Sequence, residues 1–203
     1  METVSEQKSN LLEQFTETRD RTLKLVETLE KDDFVVQTAP FMSPPKWHLG
    51  HVSWLFEIVM NKTIKNYKIY SQEFNEYLNS YYHQFGEPHD KDKRGIATRP
   101  TVDEVLEYFH ITSHKVADIL QNELLDDKTR QLYFMAIHHE CQHQELLVYD
   151  LQHLLAGRYK PVTSNPLPVS SQQELNSVRI DGGLYSCLLY TSDAADDTPC
   201  VDL

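Results

Sequence analysis

Apolar residues recur at three- and four-residue steps in several long stretches of the chain, which is the spacing of amphipathic helices. The first stretch covers residues 6–30, and Thr18 and Thr22 weaken the middle of its apolar stripe. The second begins at Ser43-Pro44-Pro45, a capping hydroxyl followed by prolines suited to a first helical turn, and ends near residue 62. The pattern predicts two long helices in the first third of the chain.

The rest of the first 157 residues continues the helical pattern. A short helix is predicted over 71–83, and the polar segment 86–100 is a candidate functional loop. A capping box at Thr101-Val102-Asp103-Glu104 opens a third long helix, and a fourth runs from about 128 to 156. No strand is predicted before residue 160, so the sequence predicts an all-α four-helix bundle.

The chain changes character after the bundle, which we assign to residues 6–157. Prolines and serines make 158–176 a predicted linker, and 177–186 alternates like the first strand of a further domain. Residues 187–203 resemble the translation of a sequencing adapter, although an acidic disordered tail is the alternative. We therefore expect a bundle followed by the start of a truncated C-terminal domain.

Composition narrows the classes of partner. The formal net charge is -12, and aspartates interrupt the one basic cluster, Lys91, Lys93 and Arg94, which argues against nucleic-acid binding. No apolar run reaches the roughly 20 residues of a membrane span, and the N-terminus is polar, so we expect a cytoplasmic protein. Three cysteines show no metal or redox spacing. The oligomeric state is not predictable from these features.

Histidines carry the candidate chemistry. His139 and His143 are four residues apart and so lie on one helix face, and His51 lies on the inner face of the second predicted helix. Three neutral imidazoles meeting between two helices would suit iron, zinc or nickel. We predict a hydrogen-bonding role for His48, and boundary or surface positions for the other four-residue pair, His110 and His114.

Four sequence blocks then resemble the N-terminal, DinB-like domain of the sulfoxide synthases of ergothioneine biosynthesis. They are, in order, Ser43 to Glu57 (SPPKWHLGHVSWLFE), Asn79 to Tyr82 (NSYY), Arg94 to Thr101 (RGIATRPT), and His139-x-x-x-His143-x-Glu145. The short segment Val178 to Gly183 looks like the start of that family's second domain, which resembles formylglycine-generating enzyme.

The resemblance implies that His51, His139 and His143 hold a non-haem Fe(II). It implies oxidative joining of cysteine or γ-glutamylcysteine to Nα-trimethylhistidine with O₂, so the expected partners are small molecules. Tyr81 or Tyr82 would supply a proton or electron, with core packing as the alternative for either residue. Arg94 and Arg99 would bind substrate by clamping the carboxylate of the thiol, with a surface position as the alternative.

Three other functions stay open at this point. An ovothiol-type synthase would use unmethylated histidine, and a stand-alone DinB-like enzyme would be a zinc or nickel thiol transferase or hydrolase. A non-enzymatic bundle would merely hydrogen-bond its histidines. Because the second domain of the resembled family would be missing, we expect this chain alone to bind iron but to turn over poorly or not at all.

Overall fold

The structure of the chain is a computed structural model that describes residues 4–79, 89–122 and 124–156, with side chains from residue 10 onward. These residues form five α-helices and two short 3-10 helices. The α-helices are α1 (Val4–Val26), α2 (Pro45–Thr63), α3 (Gln72–Leu78), α4 (Val102–Asn122) and α5 (Asp127–Leu155), and the 3-10 helices are Asp33–Val35 and Lys91–Ile96.

Four of these helices make the bundle. Helices α1 and α2 each pack against both α4 and α5, so α1 and α2 occupy one diagonal of the bundle and α4 and α5 the other. Helix α3 and the 3-10 helix Asp33–Val35 pack against α2 from outside. The predicted all-α four-helix bundle is confirmed.

Helix α2 is the most deeply enclosed element of the bundle. Every residue from Pro45 to Met60 is buried, including the polar His48, His51 and Glu57. Buried polar groups need hydrogen-bonding partners, since leaving one unpaired costs roughly 1–3 kcal/mol. Glu57 finds them in the Tyr67 and Tyr108 hydroxyl groups, which donate over 2.9 and 2.7 Å. The histidines of α2 are considered below.

A buried ion pair connects α1 and α5 inside the bundle. Arg19 Nη1 donates to Glu140 Oε2 over 3.1 Å, and both side chains are almost completely buried. Its Nη2 also donates to Ser53 Oγ, and Thr22 donates to Glu140 Oε1 over 2.6 Å. The threonine at position 22, which weakens the apolar stripe of α1, therefore serves this polar network.

Two apolar clusters account for most of the core. The polar network of Arg19 and Glu140 lies between the two clusters. Phe15 and Tyr133, before these two residues in α1 and α5, belong to one cluster, and Val26 and Leu147, after them, belong to the other. Burial of the aromatic side chains stabilises the fold by about 1.5–3 kcal/mol each. The bundle is thus held by two apolar layers with a hydrogen-bonded charge pair at their junction.

The helix limits agree with the sequence pattern to within a few residues in most places. Helix α1 ends at Val26 rather than near residue 30, and the polar segment 86–100 contains the 3-10 helix Lys91–Ile96. Helix α3 ends at Leu78, and the remainder of the predicted 71–83 helix lies mostly outside the described residues. The predicted linker and tail also lie outside them.

The capping predictions gave mixed results. The capping box of α4 is present, since Thr101 Oγ1 accepts from the Glu104 amide and the Glu104 carboxylate accepts from Thr101 N–H. The predicted capping hydroxyl of Ser43 is wrong. Pro44 is the N-cap of α2 and no side chain caps this terminus. The Ser43 hydroxyl instead accepts from Arg94 Nη1 over 2.8 Å.

None of the described helices combines the length and the apolar character required to cross a membrane.

Removing the charge of Glu140 should test the buried ion pair. Glu140→Gln leaves the Arg19 guanidinium buried without its counter-charge, so we expect the free energy of unfolding to fall by about 3–5 kcal/mol. Urea denaturation in a chelator at neutral pH measures it. The exposed pair Lys31–Asp103 is the control, and Lys31→Ala should cost less than about 1 kcal/mol. Equal losses in the two variants would contradict the role given to the buried pair.

Candidate metal centre

Three histidines from two helices meet inside the bundle. His51 comes from α2, and His139 and His143 come from successive turns of α5, so their ring nitrogens approach from two sides. One nitrogen from each ring lies within 4.8 Å of the corresponding nitrogens of the other two. The ring centroids are 4.5–5.1 Å apart. Among the residues that the structure describes, this is the one such group that could hold a metal ion.

The ring of His51 is fixed by a backbone hydrogen bond and two tryptophans. Its Nδ1 lies 2.7 Å from the carbonyl oxygen of Leu78, at the end of α3. Because a carbonyl only accepts, Nδ1 carries the proton and Nε2 carries the free lone pair. Trp47 and Trp54 stack on the ring at centroid distances of 4.4 and 5.4 Å. Helix α3 thus sets both the tautomer and the direction of this imidazole.

His143 is fixed by side chains instead. Its Nδ1 lies 3.0 Å from Nδ1 of His48, and the other nitrogen of His48 lies 2.8 Å from Asp150 Oδ2. Asp150 also accepts from the backbone N–H of Ser43 over 3.0 Å. The hydrogen-bonding role predicted for His48 is therefore confirmed, and its partners are a neighbouring histidine and a carboxylate on α5.

His139 differs from the other two histidines. Its Nδ1 is buried, and no hydrogen-bond partner for this atom is present among the described residues. A buried nitrogen without a partner costs roughly 1–3 kcal/mol, whereas coordination would satisfy it. The cluster therefore fits a bound cation better than it fits an internally hydrogen-bonded core.

Burial also keeps this cluster in the form that binds metals. Removal from water lowers the pKa of His139 to about 4. Burial, together with repulsion by His139 in its protonated form, holds the pKa of His51 and of His143 well below 6.5. The imidazoles are neutral at physiological pH, so each offers a lone pair without first losing a proton. Three nitrogen ligands with further positions open suit iron, zinc or nickel.

The other described histidines, apart from His48, do not belong to this group. His110 and His114 are exposed on α4, as predicted, and His138 is exposed on α5. His153 contacts the hydroxyl of Thr38 over 2.8 Å. His89 packs against the ring of Tyr77.

The two arginines predicted to bind substrate occupy different surroundings. Arg94 is 2% exposed, and its guanidinium carbon lies 3.4 Å from the ring centroid of Trp47, the same indole that stacks on His51. Its positive charge contributes to lowering the pKa of His51. Arg99 is exposed, and its Nη1 donates to the Thr98 carbonyl. Only Arg94 is therefore shown close to the histidines.

The predicted catalytic tyrosines, Tyr81 and Tyr82, lie outside the described residues, so their role stays a prediction. Cys141 is partly buried and lies 3.9 Å from the hydroxyl of Thr18. This contact places it toward α1, away from the histidines, as the helical spacing predicts.

The sequence did not reveal two features of the site. One is the link from Asp150 through His48 to His143, and the other is the buried Lys46, whose ammonium group donates to the carbonyls of Ala97 and Pro100. Lys46 thereby fastens the segment after Arg94 to the start of α2. The sequence signal for both features was that α2 carries polar residues, such as Lys46 and His48, among its apolar ones.

Replacement of Gly50 should disturb the support of His51. A Cβ at this position would lie 2.5 Å from Leu78 Cδ2, and Leu78 is fully buried. We expect Gly50→Ala to cost about 1–3 kcal/mol through overpacking, more than the roughly 1 kcal/mol that alanine gains in a helix. Metal affinity should fall as well, because Leu78 carries the carbonyl bonded to His51. Chemical denaturation and competition with a metal indicator measure the two effects.

The double variant Gly50→Ala/Leu78→Ala provides the control. Removing the Leu78 side chain relieves the contact, so the double variant should lose less stability than the sum of the two single variants. Strict additivity would show that the contact is not the cause.

The metal-free protein should lose stability as the pH falls from about 6.5 toward 4. In this window an unfolded chain protonates His51, His139 and His143, while the folded chain, in which burial lowers their pKa values, keeps them neutral, so acid favours unfolding. His139 alone accounts for about 3 kcal/mol of this loss, since its pKa falls from 6.5 to about 4. Urea denaturation with chelator across this range measures it. His139→Gln should flatten the profile and His110→Gln should not; identical profiles for both variants would refute the assignment.

Comparison with known proteins agrees with this architecture. The sequence model of the DinB superfamily matches residues 14–147, which include the three clustered histidines. No curated protein sequence gives a significant match to the chain. The matched region covers most of the bundle from α1 to α5, and the chain therefore belongs to the DinB superfamily.

Proposed function

We propose that this chain carries the metal-binding domain of a non-haem iron(II) sulfoxide synthase. The reaction would join the sulfur of cysteine or γ-glutamylcysteine to the imidazole carbon of Nα-trimethylhistidine, with O₂ as oxidant. The observation that carries the proposal is the meeting of His51, His139 and His143 inside a DinB-type bundle. Members of this superfamily are often metal-dependent enzymes. The specific reaction rests on the four sequence blocks described above.

The three histidines would hold the metal, and their fit is supported by the buried Nδ1 of His139 and by the neutral state of all three rings. A bound Fe(II) would supply redox chemistry toward O₂ and open positions for the thiol and the imidazole substrate. Neutral ligands leave the full positive charge of the ion in place, which favours a thiolate over a neutral thiol.

The protein's own side chains shape the surroundings of that site. Trp47 and Trp54 cover the His51 ring, and both are 1% exposed, so they keep water from this side of the cluster. The Trp54 indole is itself held by its N–H, which donates to Asn75 Oδ1 over 2.7 Å. A dry, rigid wall strengthens electrostatic interactions with an anionic substrate.

Arg94 is the better-supported carboxylate-binding residue of the two that we propose. Its guanidinium lies one indole ring away from His51, and its Nη1 donates to Ser43 Oγ. A guanidinium held at this distance would orient the carboxylate of the thiol substrate. Arg99 is less well supported, since it is exposed and its charge acts on Lys46 and Glu104. Tyr81 and Tyr82 remain candidates for proton or electron donation.

A zinc- or nickel-dependent thiol transferase or hydrolase of the same superfamily is the second candidate. It is favoured by the ligand set, because three imidazoles also suit zinc and the group contains no carboxylate. An ovothiol-type synthase would share the same bundle and the same three ligands. The metal that supports product formation separates the transferase from the synthases, and the histidine substrate separates the two synthases.

The chain loaded anaerobically with Fe(II) should form a sulfoxide when thiol, Nα-trimethylhistidine and O₂ are added. We expect slow turnover, detected by mass spectrometry as the coupled product. The Zn(II)-loaded chain should bind thiol but form no sulfoxide, because zinc has no redox chemistry. His143→Ala should bind neither metal tightly.

The controls separate the proposals. His153→Ala changes a histidine of the same helix outside the cluster and should keep metal and product. Arg94→Gln should keep the metal but require at least tenfold more cysteine to shift the spectrum of the Co(II)-loaded chain. Thiol transfer by the zinc form, without sulfoxide from the iron form, would reject the synthase in favour of the transferase. Absence of any metal binding would reject both enzymes.

A further inference from the structure

The three clustered histidines do not have equivalent surroundings. His51 is bonded to a neutral backbone carbonyl, and the Nδ1 of His139 has no hydrogen-bond partner among the described residues. In the hydrogen bonds of the described residues, His143 is linked through a second side chain to a carboxylate: its Nδ1 lies 3.0 Å from His48, and His48 lies 2.8 Å from Asp150. All three residues of this hydrogen-bonded series, His143, His48 and Asp150, are buried.

The geometry fixes where the protons lie once His143 is a ligand. Its Nδ1 faces His48, so Nε2 is the nitrogen left for a cation and Nδ1 must carry the proton. That N–H donates to Nδ1 of His48, which accepts. A neutral imidazole that accepts at Nδ1 has its proton on Nε2, and this N–H points at Asp150 Oδ2. A carboxylate can only accept there, so the three groups fit one proton arrangement.

The carboxylate of Asp150, at the end of this hydrogen-bonded series, is itself held in place. Asp150 Oδ2 accepts from the Ser43 backbone N–H, and the Ser43 hydroxyl accepts from Arg94 Nη1. These bonds join α5, the start of α2 and the 3-10 helix that carries Arg94. The Asp150 carboxylate is therefore held by the segment before α2, whereas His143 lies on α5.

We propose that His48 and Asp150 are positioning residues for the metal centre. They hold His143 in the tautomer that coordinates through Nε2, fix the plane of its ring, and place the negative charge of Asp150 behind this ligand. This inference rests on the metal-binding part of the proposed function and not on sulfoxide formation. Outer partners of this kind typically change metal affinity by about 10–100-fold when they are removed.

Zinc affinity and histidine proton positions test the inference on the full chain. We expect Asp150→Asn, which keeps the shape but removes the charge, to weaken Zn(II) binding about tenfold, and His48→Gln to weaken it by about 10–100-fold. Nitrogen-15 NMR of the zinc-loaded wild-type chain should show protons on Nδ1 of His143 and on Nε2 of His48. This second measurement requires no variant and so does not depend on how any variant folds.

His153→Gln is the matched control. This histidine also lies on α5 and also bonds to the segment before α2, through Thr38, but it touches no clustered histidine. It should keep wild-type zinc affinity. The inference is overturned if Asp150→Asn and His48→Gln bind zinc like wild type, if His153→Gln loses affinity equally, or if the proton of His143 lies on Nε2.

One further variant separates this inference from the proposed function. Loss of zinc binding in His143→Ala, with wild-type affinity in Asp150→Asn, would leave the metal site standing and reject only the positioning role. Equal zinc binding by wild type and His143→Ala would reject both the metal site and the positioning role.

Discussion

The desolvation of three imidazole rings at one point is the constraint on which the rest of this structure depends. Burial keeps the rings neutral, and neutral rings need partners for both nitrogens. The bundle meets this demand unevenly, with a carbonyl from α3 for His51 and an Asp-linked histidine for His143. One ring nitrogen of His139 receives no bond from the described residues. Because one nitrogen from each of the three rings also lies within 4.8 Å of the others, the cluster is suited to a cation.

The same turn of α5 connects this cluster to the stability of the bundle. His139 faces α2, while the next residue, Glu140, receives the buried guanidinium of Arg19 from α1. Because consecutive helical residues point about 100° apart, the ion pair fixes the rotation of α5 about its axis. Rotation of α5 cannot then occur without separating a buried charge pair. The candidate metal centre is thus held in place by a contact that contains none of the three clustered histidines.

The sequence predicted those features that depend on local spacing. Periodicity located the helices, the four-residue step joined His139 to His143, and the position of His51 within an apolar helix pointed it inward. Features that depend on which helices face each other could not be obtained this way. Ser43 illustrates the difference: its local context predicts a cap, but its hydroxyl bonds to Arg94, 51 residues away. His48 likewise showed its role only when α2 and α5 were brought together.

Charge explains why the carboxylate stands outside the ligand group. A carboxylate bound directly would cancel part of the charge of a divalent ion, whereas neutral imidazoles preserve it for an incoming anion. Asp150 acts on the centre through His48, which orients a ligand while keeping the negative charge one ring further away. Arg94 adds a positive charge at 3.4 Å from the centroid of the Trp47 indole, which also stacks on His51. This positive charge beside neutral imidazoles would favour an anionic ligand at the cluster, as the proposed thiol substrate requires.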